Sequence, residues 1–254
     1  MLTDTEAVVL RQVRTVNGRR MLLLFSRKYG KISVGSNLTE GGKNKSALPQ
    51  RPFTYGNYEL FKARDSYNLN HAQVIKSYYG IGEDLDKYMA ASYVLELTEK
   101  LLADELPQPA VFRLLLEFLD ALEARSRRHE TLVEAYIVKV IAALGTMPQL
   151  DACSICGKAG ANRFFSVEEG GMICGECARH LAENPAKHPL IYDTNFDIVS
   201  ILKYFRKESF KAFEKIALED EIFQKVHTIL RSWLAYHFGV EKLKSEDFLY
   251  SQKA

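Results

Sequence analysis

The spacing of apolar residues along the chain changes near residue 80. Before that position, apolar and β-branched residues occur in short, partly alternating runs separated by turn residues, which is typical of β-strands. Five strands are predicted there, at residues 5–13, 19–25, 31–34, 53–64 and 69–77. A polar, glycine-rich segment at residues 35–50 predicts a long loop. Five short strands with one long loop favour a small β-barrel of the OB type.

After residue 80 the apolar residues recur every three or four positions, which predicts amphipathic helices. These helices are predicted at residues 84–103, 109–125, 130–144, 193–206 and 219–238. Pro109 is a favourable first residue for the second helix, and Gly145 and Pro148 follow the third. The apolar stripes of these helices are interpreted as core positions rather than as exposed docking grooves.

The fold class predicted from these patterns is α+β and multidomain. An N-terminal OB-fold β-barrel at residues 1–80 is expected to bind nucleic acid, and an α-helical domain follows at residues 81–254. A four-cysteine zinc knuckle is expected as an insertion in the helical domain, at about residues 151–180.

The knuckle is predicted because the chain has four cysteines and all lie within one short window. Their spacing is C-x2-C-x17-C-x2-C, formed by Cys153, Cys156, Cys174 and Cys177. Two close pairs joined by a short hairpin let four thiolates converge on one tetrahedral ion. The residues between the pairs predict that hairpin, with strands at 163–167 and 172–173 and a turn between them.

Other uses of the four cysteines are alternatives to one structural Zn²⁺ ion. Two disulfides suit a small secreted domain, a redox pair needs only one C-x2-C, and a four-cysteine iron–sulfur cluster uses the same ligands. A catalytic zinc keeps a position open for water, whereas four thiolates close the coordination shell. His180 and His188 lie nearby and are interpreted as surface or packing residues.

The charge of the chain is distributed unevenly although its sum is only +2. Residues 1–80 contain 13 Lys and Arg against 5 Asp and Glu, and the remaining residues contain 21 against 27. A basic module of this kind suits a polyanionic partner, and counterion release would make its binding depend on salt.

Candidate DNA contacts are the basic residues around the predicted turns and the long loop. They are Arg11, Arg14, Arg19, Arg20, Arg27, Lys28, Lys31, Lys43, Lys45 and Arg51. Tyr29, Phe53, Tyr55 and Tyr58 alternate with them as candidate platforms for base stacking. Some of these basic residues are alternatively explained as strand-edge residues that discourage pairing between sheets. Arg125, Arg127 and Arg128 form a further basic cluster near a helix end.

Catalytic and membrane motifs are absent from the sequence. It contains no Walker loop, no G-x-G-x-x-G, no H-E-x-x-H and no G-x-S-x-G, and its six histidines form no cluster with ligand spacing. The protein is therefore predicted not to be an enzyme. No apolar run reaches the length of a membrane span, and the acidic N-terminus does not suit a signal peptide, so a cytoplasmic location is expected.

The order and spacing of several segments resemble the RecO family of bacterial recombination mediators. Residues 6–11 are similar to the first strand of that family, residues 22–33 to its second and third strands, and residues 88–97 to its first long helix. The four-cysteine knuckle after a Met-Pro-Gln-Leu-Asp linker, and the C-terminal Trp233-Leu-Ala-Tyr-His-Phe-Gly segment, are also typical of members.

This resemblance implies a non-enzymatic DNA repair protein that binds single- and double-stranded DNA and anneals complementary strands. With RecR, such proteins help load RecA onto DNA coated by single-strand-binding protein, and the acidic, apolar C-terminal tail of that coat protein docks on the helical domain. A cytoplasmic, nucleoid-associated location follows from this role. A protein–protein adaptor with incidental DNA affinity is the alternative, and a zinc-dependent nuclease or transcription factor is a third hypothesis.

The chain departs from the family in the loop after the third strand. That loop is often rich in arginine in the family, whereas here it carries only Lys43 and Lys45, preceded by Glu40. DNA contact through the face of the barrel is therefore expected to matter more than contact through this loop.

Overall fold

The structure is a computed structural model that describes residues 1–15, 20–36, 48–64, 66–160, 162–183, 190–194, 196–213 and 216–250. The predicted DNA contacts Arg19, Lys43 and Lys45 lie outside these residues. Contacts between α-carbons divide the chain into two compact units, Met1–His129 with Leu243–Ala254, and Glu130–Lys242.

Five strands at the start of the chain close into a barrel in the order β1-β2-β3-β5-β4. The strands are β1 (Leu2–Arg14), β2 (Arg20–Ser26), β3 (Gly30–Ser36), β4 (Tyr55–Lys62) and β5 (Tyr67–Lys76). Neighbouring strands are antiparallel except for a short parallel pairing, in which Val34 and Gly35 of β3 face Tyr67 and Asn68 of β5. This arrangement confirms the predicted OB-fold.

Alternation along the strands places one row of apolar side chains inside the barrel. The interior includes Ala7, Val9, Leu22, Leu24, Ile32, Val34, Tyr58, Leu60, Tyr67 and Leu69. The fourth strand begins at Tyr55, two residues later than predicted, because Phe53 has a φ of 72°. That left-handed conformation interrupts a strand.

Three helices follow the barrel in the first unit. They are α1 (Tyr79–Gly82), α2 (Leu85–Leu101) and α3 (Pro109–Ala124). Asp84 caps α2 by accepting hydrogen bonds from the backbone N–H groups of Asp86 and Lys87. Pro109 is the first residue of α3, as predicted. Both long helices bury an apolar face, although Leu85 and Tyr88 at the start of α2 are exposed.

The C-terminal segment belongs to the first unit, and the carboxylate of Glu96 holds its start. Glu96 accepts from the backbone N–H groups of Lys244 and Ser245 at 3.0 and 2.9 Å, and from the Ser245 hydroxyl at 2.6 Å. The short helix α8 (Glu246–Tyr250) follows directly, and the ring of Tyr250 packs on Tyr93. Glu96 thus satisfies backbone donors at the beginning of a helix.

The second unit contains a buried contact between side chains of two of its helices. Its main helices are α4 (His129–Ala143), α6 (Phe196–Lys207) and α7 (Asp220–Phe238). Glu134 of α4 is fully buried, and its carboxylate contacts His227 Nδ1 of α7 at 2.8 Å. A buried carboxylate needs such a partner, so this contact offsets part of the desolvation cost of Glu134.

The four-cysteine segment also lies in the second unit, as a small sheet with one short helix. Its elements are β6 (Phe164–Ser166), β7 (Gly171–Ile173), α5 (Gly175–Ala182) and β8 (Ile191–Asp193). The sheet order is β7-β6-β8. The predicted hairpin corresponds to β6 and β7, whereas β8 and α5 were not predicted. Phe165 packs edge-on against Trp233 of α7, which connects the core of this segment to the helices of its unit.

In the part of the chain that the structure describes, no helix combines the length and the apolar character that crossing a membrane requires.

Replacing Gly30 by Ala should destabilise the first unit. Gly30 has a φ of 68°, and an added Cβ would lie 2.3 Å from the carbonyl oxygen of Leu106. Left-handed strain alone costs about 1–3 kcal/mol, and the backbone clash adds to it. We expect a clear drop in the thermal unfolding midpoint. Gly82→Ala is the matched control, because nothing lies within 4 Å of its added Cβ, and an unchanged midpoint for both variants would contradict this assignment.

The contact made by Glu96 should depend on pH. Burial by itself would raise the pKa of Glu96, but hydrogen bonds from Ser245 and Lys244 outweigh it and lower the pKa. The stabilisation is therefore present above the ordinary glutamate pKa and is lost as the pH falls through the lowered value. Glu96→Gln should speed amide hydrogen exchange of residues 243–250 at pH 7, with Glu117→Gln as control. Equal protection in both variants would show that the carboxylate does not hold this segment.

Candidate metal centre and nucleic-acid interface

The four cysteine sulfurs converge on one point in the second unit. All four Sγ atoms lie within 4.8 Å of one another, and those of Cys156 and Cys174 are 3.9 Å apart. A tetrahedral ion with metal–sulfur bonds of about 2.3 Å holds its sulfurs about 3.8 Å apart. Cys153 and Cys174 are buried and Cys156 is exposed. The donor set and its spacing therefore fit a closed tetrathiolate metal centre.

The backbone around the first cysteine pair forms the tight turn that such a centre needs. The N–H of Gly157 donates to the carbonyl of Cys153 at 2.9 Å, and the N–H of Cys153 donates to Lys158 at 3.0 Å. Gly157 has a φ of 73°, a conformation that glycine adopts without strain. The turn brings the sulfur of Cys156 back toward that of Cys153.

The second cysteine pair lies at the start of α5. Cys174 is the residue before the first helical residue, and Cys177 lies in the first turn. The backbone N–H of Cys174 also points at the sulfur of Cys153, 3.4 Å away. The positive end of a helix dipole and backbone N–H donors both favour thiolate over thiol.

The pKa values of two of the crowded thiols, Cys153 and Cys177, shift in opposite directions. Burial raises the pKa of Cys153, but donation from three backbone N–H groups outweighs it and lowers the pKa to about 6. Hydrogen bonding to Cys174, burial and the other two sulfurs raise the pKa of Cys177 to about 12. The crowded sulfurs therefore oppose ionisation of all four thiols at neutral pH, and a bound dication would stabilise the four thiolates together.

Three of the predicted DNA contacts on the barrel pair with acidic groups of the first unit. Arg11 donates twice to the carboxylate of Glu99, at 3.2 and 2.9 Å. Arg27 lies 3.2 Å from the carboxylate of Glu6. Lys31 donates to the Glu99 carbonyl and pairs with Asp104 at 3.2 Å. These pairs reduce the positive charge that the three side chains offer to a phosphate.

The other described basic residues on that list differ in exposure. Arg20 is only 9% exposed, so its guanidinium faces the protein rather than solvent. Arg14, Lys28 and Arg51 are exposed. The side chain of Arg51 forms no ion pair with any residue that the structure describes. The assignment of individual DNA contacts stays a prediction.

The prediction that Tyr58 and Phe53 are stacking platforms is wrong, because both rings are buried. Tyr58 lies inside the barrel and donates its hydroxyl to the Pro49 carbonyl at 2.7 Å. Phe53 is 6% exposed and packs on Tyr88. Tyr55 is half-buried and bonds to Glu6 at 2.6 Å. Of the four, Tyr29 has the ring best placed to meet a ligand, because it is partly exposed at one end of the barrel.

Around Tyr29 the barrel forms a basic, aromatic surface that the sequence did not reveal. We define the Tyr29 patch as Lys28, Tyr29 and Lys62, and the buried ring of Tyr67 lies beneath Lys62. Lys62 Nζ lies over the rings of Tyr29 and Tyr67, at 5.1 and 5.2 Å from their centroids. Lys28 Nζ lies 5.5 Å from the Tyr29 ring. A hydrogen bond to Tyr67 raises the pKa of Lys62, so the ammonium is charged at neutral pH.

A closed five-stranded OB barrel, followed along the chain by helices and a four-cysteine cluster, defines an α+β protein with a candidate metal centre. The model for "Recombination protein O N terminal" matches residues 1–78, and the model for "Recombination protein O C terminal" matches residues 82–247. The chain belongs to the RecO family of DNA repair proteins. The resemblance stated from the sequence is confirmed.

Curated relatives cover nearly the whole chain. The "DNA repair protein RecO" of Thermoanaerobacter sp. (strain X514) is 27% identical over 248 residues, which are 98% of this chain and 97% of the relative. The protein of the same name from Pelotomaculum thermopropionicum is 30% identical, with 98% and 93% covered. That from Myxococcus xanthus is 28% identical, with 97% and 96% covered.

Replacing Cys153 by Ser should remove bound metal and destabilise the second unit. The substitution deletes one of four thiolates, so we expect the metal content per chain to fall sharply and the thermal midpoint to drop. Ser154→Ala is the matched control in the same turn, because it leaves the sulfurs in place. Elemental analysis and thermal unfolding measure both effects, and full metal content in Cys153→Ser would contradict the tetrathiolate site.

Proposed function

We propose that this protein is a non-enzymatic recombination mediator that binds single- and double-stranded DNA through its barrel and anneals complementary strands. With RecR it helps load RecA onto DNA coated by single-strand-binding protein, in the cytoplasm at the nucleoid. The observation that carries the proposal is the match to both RecO models along almost the entire chain. In this proposal, residues 1–80 bind DNA and residues 81–254 bind protein partners.

The charge of the barrel supports DNA binding, and the Tyr29 patch indicates where it is concentrated. OB barrels bind single strands by combining basic grooves with aromatic platforms on which bases stack. Lys28 and Lys62 lie beside the ring of Tyr29, whereas Arg11, Arg27 and Lys31 pair with acidic groups. We therefore place the main phosphate contacts at the patch rather than around Arg11.

Annealing follows from the same charges. Two single strands repel each other through their phosphates, and a basic surface that releases counterions lowers this repulsion so that complementary bases meet. No covalent step is needed, which is consistent with a role as mediator rather than enzyme.

The helical part of the chain is proposed to recruit partners. We expect the acidic, apolar C-terminal tail of single-strand-binding protein to dock there, and RecR to join the assembly that loads RecA. One Zn²⁺ ion held by Cys153, Cys156, Cys174 and Cys177 stabilises the second unit. Zinc suits this site because four thiolates form the closed tetrahedral shell that structural zinc adopts.

Substituting both lysines of the Tyr29 patch tests the proposal. Each phosphate contact with a single strand contributes about 0.7 to the salt slope, so Lys28→Ala with Lys62→Ala should reduce its magnitude by about 1.4. Fluorescence anisotropy with a labelled single-stranded oligonucleotide across a salt series measures the slope, and the same variant should anneal complementary strands more slowly.

The control removes two lysines from the second unit, Lys207 and Lys225, and so changes the net charge equally. If the control reduced the magnitude of the salt slope equally, DNA binding would depend on net charge and not on the Tyr29 patch. No binding by the unmodified protein at low salt would overturn the mediator proposal. That result would favour the second candidate, an adaptor that acts through its helices.

A further inference from the structure

A second cluster of potential metal ligands lies in the first unit. It consists of Asp84, Asp86 and His129, and one donor atom from each lies within 4.8 Å of the others. The six histidines form no cluster with ligand spacing in the sequence, and His129 is 45 positions from Asp84. Tertiary structure alone brings the three groups together, at the start of α2.

Helix capping explains only part of this cluster. One oxygen of Asp84 accepts from the N–H groups of Asp86 and Lys87, at 3.0 and 3.1 Å, and carboxylates are favourable at a helix N-terminus. The second oxygen of Asp84 is not used by these two bonds. The exposed carboxylate of Asp86 makes no hydrogen bond or ion pair with any residue that the structure describes.

His129 is the observation that capping leaves unexplained. Its side chain is 4% exposed, and its Nδ1 atom is buried without a hydrogen-bond partner in the described part of the chain. A buried polar atom without a partner costs about 1–3 kcal/mol.

Two positively charged side chains lie close enough to this site to weaken the binding of a cation there. Lys87 and Arg125 both act electrostatically on His129. Lys87 donates its Nζ to the carbonyl of Glu123 at 2.7 Å, and Arg125 donates its Nε to the carbonyl of Arg128 at 3.1 Å. They lower the affinity for a cation while the two carboxylates raise it.

We propose that Asp84, Asp86 and His129 bind one divalent cation, separate from the tetrathiolate centre. Three ligand atoms that each lie about 2.1 Å from one ion are about 3.0–3.6 Å apart, so donor atoms at the 4.8 Å limit would move together by about 1 Å or more on binding. Two carboxylates and one imidazole suit Mn²⁺ and similar ions, whereas the four thiolates select softer ones. Water completes the coordination shell.

Such an ion would join the beginning of α2 to His129 within the first unit. Bound through Nδ1 of His129, the ion would give that buried nitrogen a partner. It would also neutralise two carboxylates that lie close together. Ions that bind only the folded state stabilise it, so the thermal midpoint of the protein should rise with added ion.

Mn²⁺ titration of the zinc-loaded, full-length protein tests this inference, because Mn²⁺ does not compete well for thiolates. Electron paramagnetic resonance of free Mn²⁺ should show one ion bound per chain. Asp86→Asn should weaken binding at least about tenfold, a loss that even outer-shell changes produce at metal sites. Asp86 is exposed, so this variant is expected to fold, which circular dichroism checks.

Glu83→Gln is the matched control. Glu83 is exposed and adjacent to Asp84, so the control removes the same charge from the same region without removing a ligand. His129→Gln should weaken binding as Asp86→Asn does. The inference is overturned if no stoichiometric Mn²⁺ binds, if Glu83→Gln weakens binding as much as Asp86→Asn, or if neither ligand variant changes it. The result does not depend on DNA binding by the barrel.

Discussion

The parallel pairing of β3 with β5 is the constraint on which the barrel and its candidate DNA surface depend. The other strand pairs are antiparallel. The β3–β5 pairing joins strands that are separated along the chain by β4, and together with the β1–β4 pairing it closes the sheet. Closure removes open edges that would otherwise pair with other chains. It also brings Tyr67 to within 5.7 Å of Tyr29, measured between ring centroids, so that Lys62 lies over both rings.

Charge pairing changes which basic residues are available to DNA. The N-terminal 80 residues carry a strong positive excess, but Arg11, Arg27 and Lys31 each lie beside a carboxylate. Exposed pairs of this kind contribute little to stability, and they reduce the local positive potential. Lys62, which was not among the predicted contacts, lies beside tyrosine rings instead. The surface proposed to bind DNA therefore depends on the acidic residues as much as on the basic ones.

The two metal-binding candidates illustrate opposite relations between sequence and site. The cysteine pairs are visible in the sequence because each ligand lies three residues from its partner, so local turns position them. Asp84, Asp86 and His129 show no such spacing, since His129 meets the start of α2 only in the folded first unit. A search based on spacing therefore finds the first site and misses the second.

Periodicity alone was enough to predict five barrel strands and the long helices, because these depend on residues within one turn or one pleat of each other. The spacing of the cysteines was enough to predict the sulfur cluster. Periodicity could not predict β8, which pairs with β6 although the second cysteine pair lies between them in the sequence. It also could not predict the burial of Tyr58 and Arg20 or the contact of Glu134 with His227. Those features depend on which distant segments meet. The sequence by itself determined the elements, the excess of charge and the thiolate ligands, whereas tertiary structure decided which charges remain exposed, because pairing and burial require partners distant along the chain.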